Sequence, residues 1–289
     1  MEISGKTHIC GVIGDPIEHT LSPIMHNAAF AHLGLDFAYL AFRVGKAELK
    51  NAIRGMRSLG IHGLNVTMPH KNEVIKYLDS VDSTVNFIGA VNTILNDAGK
   101  LLGFNTDGIG AIRALKENGV KIDGKRMLLL GAGGAAKAIA FSAAEDLDEL
   151  VILNRNVGKA KRIAEVLCRR FNKKIMADSL SQDNIKESLK NSDILVNATS
   201  VGMRPNENQS LIAKEWLRPD IYVMDIIYNP IETKLLKDAK EIGSKVISGI
   251  EMLIQQGAAS FEIWTGRRAP IKIMKEAALR KLMEENSNC

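Results

Sequence analysis

The sequence predicts an α/β protein of two domains: an α/β domain with a mainly parallel sheet, then a doubly wound domain of the Rossmann type. Three observations predict it. The chain has 289 residues, which at roughly 100–200 residues per domain suits two cores. Short β-rich runs alternate with amphipathic helical stretches, the pattern of parallel sheets covered by helices on both faces. One apolar run, Arg126-Met-Leu-Leu-Leu, passes through a glycine-rich turn straight into a helical pattern.

Strands are expected at 8–13, 37–42, 63–66, 91–95, 126–130, 150–153, 193–196, 221–225 and 245–247. Helical patterns closed by glycine lie between most of them. One runs over 22–33 and stops at Gly34; there Ser22 suits the N-cap and Pro23 the first helical position, where its missing N–H costs nothing. Another runs over 46–59 and stops at Gly60. The best boundary lies at 107–124, after which Asp123-Gly-Lys-Arg leads into a new strand and the glycine turn. From about Gly249 onward the pattern is helical, and those helices need a surface to cover.

Hydrophobic residues make up 46% and charged residues 25% of the chain, the balance of a soluble protein. No apolar run approaches the roughly 20 residues that span a bilayer. The first residues lack the basic start and apolar stretch of a signal peptide. Cys10, Cys168 and Cys289 are odd in number and scattered, with neither a disulfide framework nor metal-ligand spacing, so reduced thiols in a cytoplasmic protein are expected. The net charge is +5, but the basic residues often adjoin acids, as in Lys237-Asp238, and aromatics are only 5%. That argues against a nucleic-acid surface and suits anionic small molecules.

Gly131, Gly133 and Ala136 match G-x-G-x-x-G/A. The first glycine permits the tight turn, the second lets the backbone approach a pyrophosphate, and the small third residue allows close helix–strand packing. The helix N-terminus then offers free N–H groups to phosphates. An NAD-binding domain would carry an acid about 20 residues on, for the ribose 2′-hydroxyl. Here the strand ends in Asn154-Arg155-Asn156, with Lys159 shortly after, and Glu149 lies before it. A guanidinium grips a 2′-phosphate that a carboxylate would repel, so the spacing favours NADP.

Four segments place polar side chains just past expected strand ends: Glu18-His-Thr-Leu-Ser-Pro, Asn65-Val-Thr-Met-Pro-His-Lys, Gly89-Ala-Val-Asn-Thr and Gly103-Phe-Asn-Thr-Asp-Gly. Ligands of open α/β sheets bind outside those carboxyl ends. Thr20, Ser22, Thr67, Asn65, Asn92, Asn105, Lys71 and Asp107 together suit a small ligand with several hydroxyls and a carboxylate. Singly, Ser22 reads equally as a helix cap, Asn92 as a turn residue and Lys71 as surface charge. His19, His26 and His70 invite acid–base roles, but their spacing supplies no clear partner. No cluster has metal-ligand spacing, so no metal is expected.

With these segments in this order, together with Asn197-Ala-Thr-Ser, Asp225-Ile-Ile-Tyr228 and Gly249-Ile-Glu-Met-Leu-Ile-Gln-Gln256, nearly the whole chain resembles the shikimate dehydrogenase family. Asn-Val-Thr-x-Pro-x-Lys and Asn-Thr-Asp-Gly are its most specific motifs. The resemblance implies reversible reduction of 3-dehydroshikimate to shikimate with NADPH, in the shikimate pathway of aromatic amino-acid biosynthesis. It implies a substrate domain of residues 1–107 plus 250–289 and an NADP domain of residues 108–249. It makes Lys71 the catalytic lysine and Asp107 its partner at the reacting hydroxyl. Thr20 and Ser22 would hold the substrate carboxylate, and Thr67, Asn92, Tyr228 and Gln256 the ring. Gly131, Ala132, Gly133, Gly134, Ala135, Asn154, Arg155 and Lys159 would hold the cofactor, with Ile226 and Gly249 near the nicotinamide. A homodimer is compatible with the reading, though no residue pattern decides it.

Ketone reduction develops an alkoxide, which a lysine can protonate or stabilise. Three departures bear on selectivity. The family often has Ser where Thr20 stands, Thr where Asn156 stands and Arg where Lys159 stands; lysine cannot form the bidentate fork of arginine. A quinate/shikimate dehydrogenase with relaxed cofactor use is therefore the nearest alternative. A non-catalytic NADP-binding sensor would need the glycine turn and Arg155 but not Lys71 with Asp107. A relative of the nucleotide domain of glutamyl-tRNA reductase would need a catalytic cysteine.

Overall fold

The computed structural model describes residues 3–287, so Cys289 lies outside the described residues. The chain divides into two units, residues 1–106 with 254–289, and residues 107–253.

In the first unit the strands are β1 (His8–Gly14), β2 (Phe37–Arg43), β3 (Gly63–Val66), β4 (Ser80–Val81), β5 (Thr93–Asp97) and β6 (Lys100–Phe104), in the order β2-β1-β3-β5-β6-β4. β1 pairs in parallel with β2 and β3, and β4 with β6, whereas β5 runs antiparallel to β3 and β6. β4 and β6 lie where no strand was expected, and the strand expected at 91–95 runs two residues later. Alternation of strands with helices predicts crossovers only. Here Ala98 and Gly99, at φ 48° and 93°, close a two-residue hairpin, the geometry that type I′ turns require.

The helices α1 (Ser22–His32), α2 (Leu49–Ser58) and α3 (Ser83–Ile88) follow these strands. α1 does not begin as expected. Its N-cap is Leu21, and Ser22 is the first helical residue. The cap-like acceptor is Thr20, whose Oγ1 receives the Ser22 N–H at 3.3 Å. α2 buries Leu49, Ile53 and Met56, spaced along one helix face, against Val66, Ile94 and Leu101. A short 3₁₀ turn, Lys46–Glu48, precedes α2 in the stretch read as one helix.

The second unit holds α4 (Asp107–Glu117), β7 (Arg126–Leu130), α5 (Gly134–Ala143), β8 (Glu149–Asn154), α6 (Val157–Phe171), β9 (Lys174–Ser179), α7 (Gln182–Lys190), β10 (Ile194–Asn197), β11 (Tyr222–Asp225), α8 (Lys234–Ile242) and β12 (Lys245–Ile247). Its all-parallel sheet is ordered β12-β11-β10-β7-β8-β9. The order reverses between β7 and β10, the switch point at which such sheets bind ligands. β9 was not expected; it is a half-exposed edge strand of mixed polarity.

α9 (Gly249–Thr265) begins in the second unit and continues in the first, where α10 (Ile271–Ser287) follows. α1 packs on α10. The core beside them is aromatic: His26 stacks on Tyr39 with centroids 4.4 Å apart, and Phe30 stacks on Phe261 at 5.2 Å. β3 approaches α9 at Gly63, where any Cβ would collide with the Trp264 indole. That indole donates to the Ile94 carbonyl at 3.0 Å.

Candidate active site

In the first unit the polar side chains gather at the ends of β1, β3 and β5. Past β1, the Thr20 hydroxyl donates to Ser22 Oγ at 3.3 Å. Ser22 is 7% exposed and Thr20 half-buried, so their hydroxyls form one small polar surface at the start of α1. Past β3, Thr67 takes the Ile13 carbonyl through its backbone N–H at 3.0 Å. The turn after it is pinned at both ends. His70 Nε2 meets the Val44 carbonyl at 2.7 Å, and the Val91 N–H donates to the Lys71 carbonyl at 2.8 Å. These bonds hold the half-buried Lys71 on a fixed backbone.

Asn92 precedes β5 and is 3% exposed. Its Nδ2 donates to Thr106 Oγ1 at 2.9 Å and to Gln256 Oε1, on α9, at 3.3 Å. Asn65, Thr93 and Ser260 extend the cluster inward. Ser260 was missed by sequence reasoning, because a buried hydroxyl in a helix interior has no motif of its own; Thr93 closes the Gly89-Ala-Val-Asn-Thr segment but was not singled out from it. Asn105 donates to the Ala90 carbonyl at 2.9 Å, which gives it a structural role.

The three histidines do not join this constellation as acid–base groups. His70 is buried and anchors the lysine turn, and His19 is exposed. His26 is fully buried among aromatic rings with both nitrogens unpartnered, and burial pushes it down to about 3.

In the second unit, Gly131 leaves β7 at φ 112°, where a side chain would be strained and would also meet the Ala198 carbonyl. Gly133 caps α5 and Gly134 opens it. A Cβ on either would meet nothing within 4 Å, so the turn is open on that side. Ala132 and Ala136 are buried behind it. The open backbone and the first N–H groups of α5 fit a pyrophosphate. At the end of β8, Asn154 Nδ2 donates to the Asn156 carbonyl at 2.9 Å. Asn156 caps α6 through the Lys159 N–H at 3.1 Å, as a threonine would. Arg155 and Lys159 are exposed beside this helix start. Cations there oppose the helix dipole, and an anionic 2′-phosphate would satisfy both. NADP therefore fits the residues present.

Beyond β11, Asp225 is fully buried. Its Oδ1 accepts from Asn197 Nδ2 and the Ile227 N–H, both at 3.1 Å, and its Oδ2 from the Thr233 hydroxyl at 2.7 Å. Burial pushes its carboxyl up to about 6, against the pull of those donors. The knot fixes the segment that carries Ile226 and Tyr228. Burial also raises the Tyr228 hydroxyl above the ordinary phenol value. Gly249 sits against the 226–227 backbone, with Ile226 C only 2.5 Å from where a Cβ would stand. The structure thus brings Ile226 and Gly249 together. Asp107, 6% exposed, opens α4, and Gly108 lets that helix lie against Ala138 of α5. Cys10 is buried in β1, and burial raises its thiol, which removes it as a nucleophile. Among the described residues no helix is long and apolar enough to cross a membrane.

Comparison with known proteins gives three family matches. Residues 12–94 match the shikimate dehydrogenase substrate binding domain, 113–230 the shikimate / quinate 5-dehydrogenase family, and 249–279 the shikimate 5′-dehydrogenase C-terminal domain. A shikimate dehydrogenase (NADP(+)) of Methanopyrus kandleri is 47% identical over 286 residues, covering 98% of each chain. A crystal structure of a shikimate dehydrogenase in complex with NADP+ superposes with a TM-score of 0.90 at 47% identity, covering 97% of each chain. Shikimate 5-dehydrogenase from Listeria monocytogenes, crystallised with shikimate and NAD, has a TM-score of 0.90 at 43% identity, covering 96% of this chain and 98% of its own.

Proposed function

The chain belongs to the shikimate dehydrogenase family, and from that premise we propose that it reversibly reduces 3-dehydroshikimate to shikimate with NADPH in the cytoplasm. The observation that carries the reading is the cluster in which the Asn92 amide meets Thr106 and Gln256 while the neighbouring Val91 N–H holds the lysine turn. It sets amides and a lysine at strand ends, where a polyhydroxylated acid can be gripped on several sides.

In this reading residues 1–107 and 250–289 bind the substrate, and residues 108–249 the dinucleotide. Thr20 and Ser22 hold the substrate carboxylate. Thr67, Asn92, Tyr228 and Gln256 hold the ring hydroxyls. NADPH supplies the hydride when bound. Lys71 protonates the carbonyl oxygen as negative charge develops on it, and Asp107 orients the reacting hydroxyl and the lysine. The turn from Gly131 to Ala135 receives the pyrophosphate, while Asn154, Arg155 and Lys159 hold the adenosine end with its 2′-phosphate. Ile226 and Gly249 border the nicotinamide.

The test is a four-way assay of the purified protein, pairing shikimate or quinate with NADP or NAD. Activity confined to shikimate with NADP supports the proposal. Comparable rates with quinate would turn attention to the Thr20 methyl. Comparable rates with NAD would turn it to Lys159. No activity in any pairing would overturn the catalytic reading.

A further inference from the structure

The Asn92 amide is held from behind by groups sealed from solvent. A backbone N–H can only donate, so the 2.8 Å bond from the Thr106 N–H identifies the atom that it meets as the Asn92 amide oxygen. The Thr93 hydroxyl donates to the same oxygen at 2.9 Å. With its oxygen held inward by two donors, Asn92 turns its nitrogen toward Thr106 Oγ1 and Gln256.

The Thr93 hydroxyl also accepts: Asn65 Nδ2 reaches Thr93 Oγ1 at 3.2 Å. The Asn65 amide cannot turn over either. Its Nδ2 donates to the Asn92 carbonyl at 3.0 Å, a group that only accepts, and its Oδ1 accepts the Tyr39 hydroxyl at 2.7 Å. Ser260 Oγ closes the cluster 2.7 Å from Thr93. The Tyr39 hydroxyl, the Asn65 amide and the Thr93 hydroxyl thus form one connected chain behind the Asn92 amide, with the Ser260 hydroxyl as a second partner of Thr93. Tyr39 is 1% exposed and Thr93 is 0% exposed, so neither presents a surface to a ligand.

We propose that Thr93 and Tyr39 are positioning residues for the substrate, fixing through Asn92 and Asn65 which end of the Asn92 amide faces the ring. The proposal rests on the reading of Asn92 and Gln256 as substrate contacts. Without the Thr93 hydroxyl the Thr106 N–H is left to hold the Asn92 oxygen with one bond fewer, and a more loosely held amide gives the ring hydroxyls a less fixed partner.

Two substitutions remove the hydroxyls and keep the shapes: Thr93→Val and Tyr39→Phe. Thr93→Ser restores the hydroxyl without the methyl. Steady-state kinetics would be measured for both substrates, with shikimate binding by calorimetry alongside. Thr93→Val is expected to raise the shikimate KM and Kd about tenfold, to leave the NADP KM within about twofold, and to be largely rescued in Thr93→Ser. Tyr39→Phe is expected to shift the same constants in the same direction by a smaller factor. A Thr93→Val enzyme with unchanged shikimate KM would overturn the proposal. So would equal impairment of Thr93→Val and Thr93→Ser, which marks a packing role. If Thr93→Val does not fold, Tyr39→Phe with unchanged shikimate constants overturns it instead. A wild-type protein that neither binds nor oxidises shikimate would sink the functional reading, and the proposal with it. Normal wild-type activity beside indifferent variants sinks the proposal alone.

Discussion

At the scale of single residues, the proposed function divides the motifs into residues assigned to a ligand and residues that hold those in place. Lys71 is held by its backbone, through Val91 and the His70 anchor. Truncating its side chain therefore leaves the turn in place. Lys71→Ala is expected to lower kcat by about 10²–10⁴, the usual worth of a general acid, with a much smaller change in shikimate KM; an unchanged kcat would remove Lys71 from the mechanism. Arg155 lies exposed at the end of β8 and makes its case through charge. Arg155→Ala is expected to raise the NADP KM about 10–100-fold, the worth of a charge-assisted pair, and to leave the NAD KM nearly unchanged. Equal effects on both cofactors would assign Arg155 to the fold. The residues with motifs were readable in the sequence for a physical reason: glycines at forced turns and polar groups past strand ends stand out against apolar runs. Ser260, the buried role of Thr93 and the true position of Ser22 were not. A buried hydroxyl is indistinguishable from an exposed one until the partner that shares its proton is known.

At the scale of elements, the sheet of the second unit follows the sequence pattern closely, since β7, β8, β10 and β11 are nearly continuous apolar runs buried on both faces. The strands that escaped are those that the pattern does not mark. β9 alternates burial at a sheet edge, β4 has two residues, and β6 is reached by a hairpin whose Ala98 lacks the usual Asn-Gly signature. The edge strand β2 was expected, but the device that guards it was not. β2 is seven residues long with Leu40 47% exposed, and an unpaired apolar edge invites other strands. Asn27 of α1 answers this: its Nδ2 donates to the Tyr39 carbonyl at 2.9 Å, and its Oδ1 accepts the Tyr39 N–H at 2.8 Å. Asn27→Leu keeps the bulk and removes both bonds. It is expected to cost about 1–3 kcal/mol and to promote association through β2. Urea unfolding and light scattering read the two effects separately, and a variant as stable and monodisperse as wild type would show that the edge needs no such guard.

Across the whole molecule, the two units carry buried titratable groups of opposite sign. His26, in the first unit, is held near 3 by burial, below the ordinary 6.5. The unfolded chain then binds the extra proton, so the stability that His26 allows is present above about pH 6.5 and is lost as pH falls toward 3. Asp225, in the second unit, is raised to about 6 from 3.8. Its contribution runs the other way, present below 3.8 and lost as pH rises through 6. Acidification from pH 6.5 to 4.5 should therefore weaken the first unit by about 2–3 kcal/mol through His26, at roughly 1.4 kcal/mol per pKa unit, while Asp225 gains about 2 kcal/mol for the second. The two tryptophans, Trp216 and Trp264, fall one in each unit. In a Trp216→Phe background, fluorescence reports only Trp264, which is 4% exposed in the core near His26, ring centroids 5.3 Å apart. Its urea midpoint is expected to drop between pH 6.5 and 4.5. His26→Leu, which leaves no proton to take up, should abolish most of that drop. Should the midpoint fall equally with and without His26, the acid sensitivity would belong to the surface carboxylates that ion pairs and hydrogen bonds hold low, Glu18 and Asp79 among them in this unit, and the buried imidazole would be a spectator of the pH response.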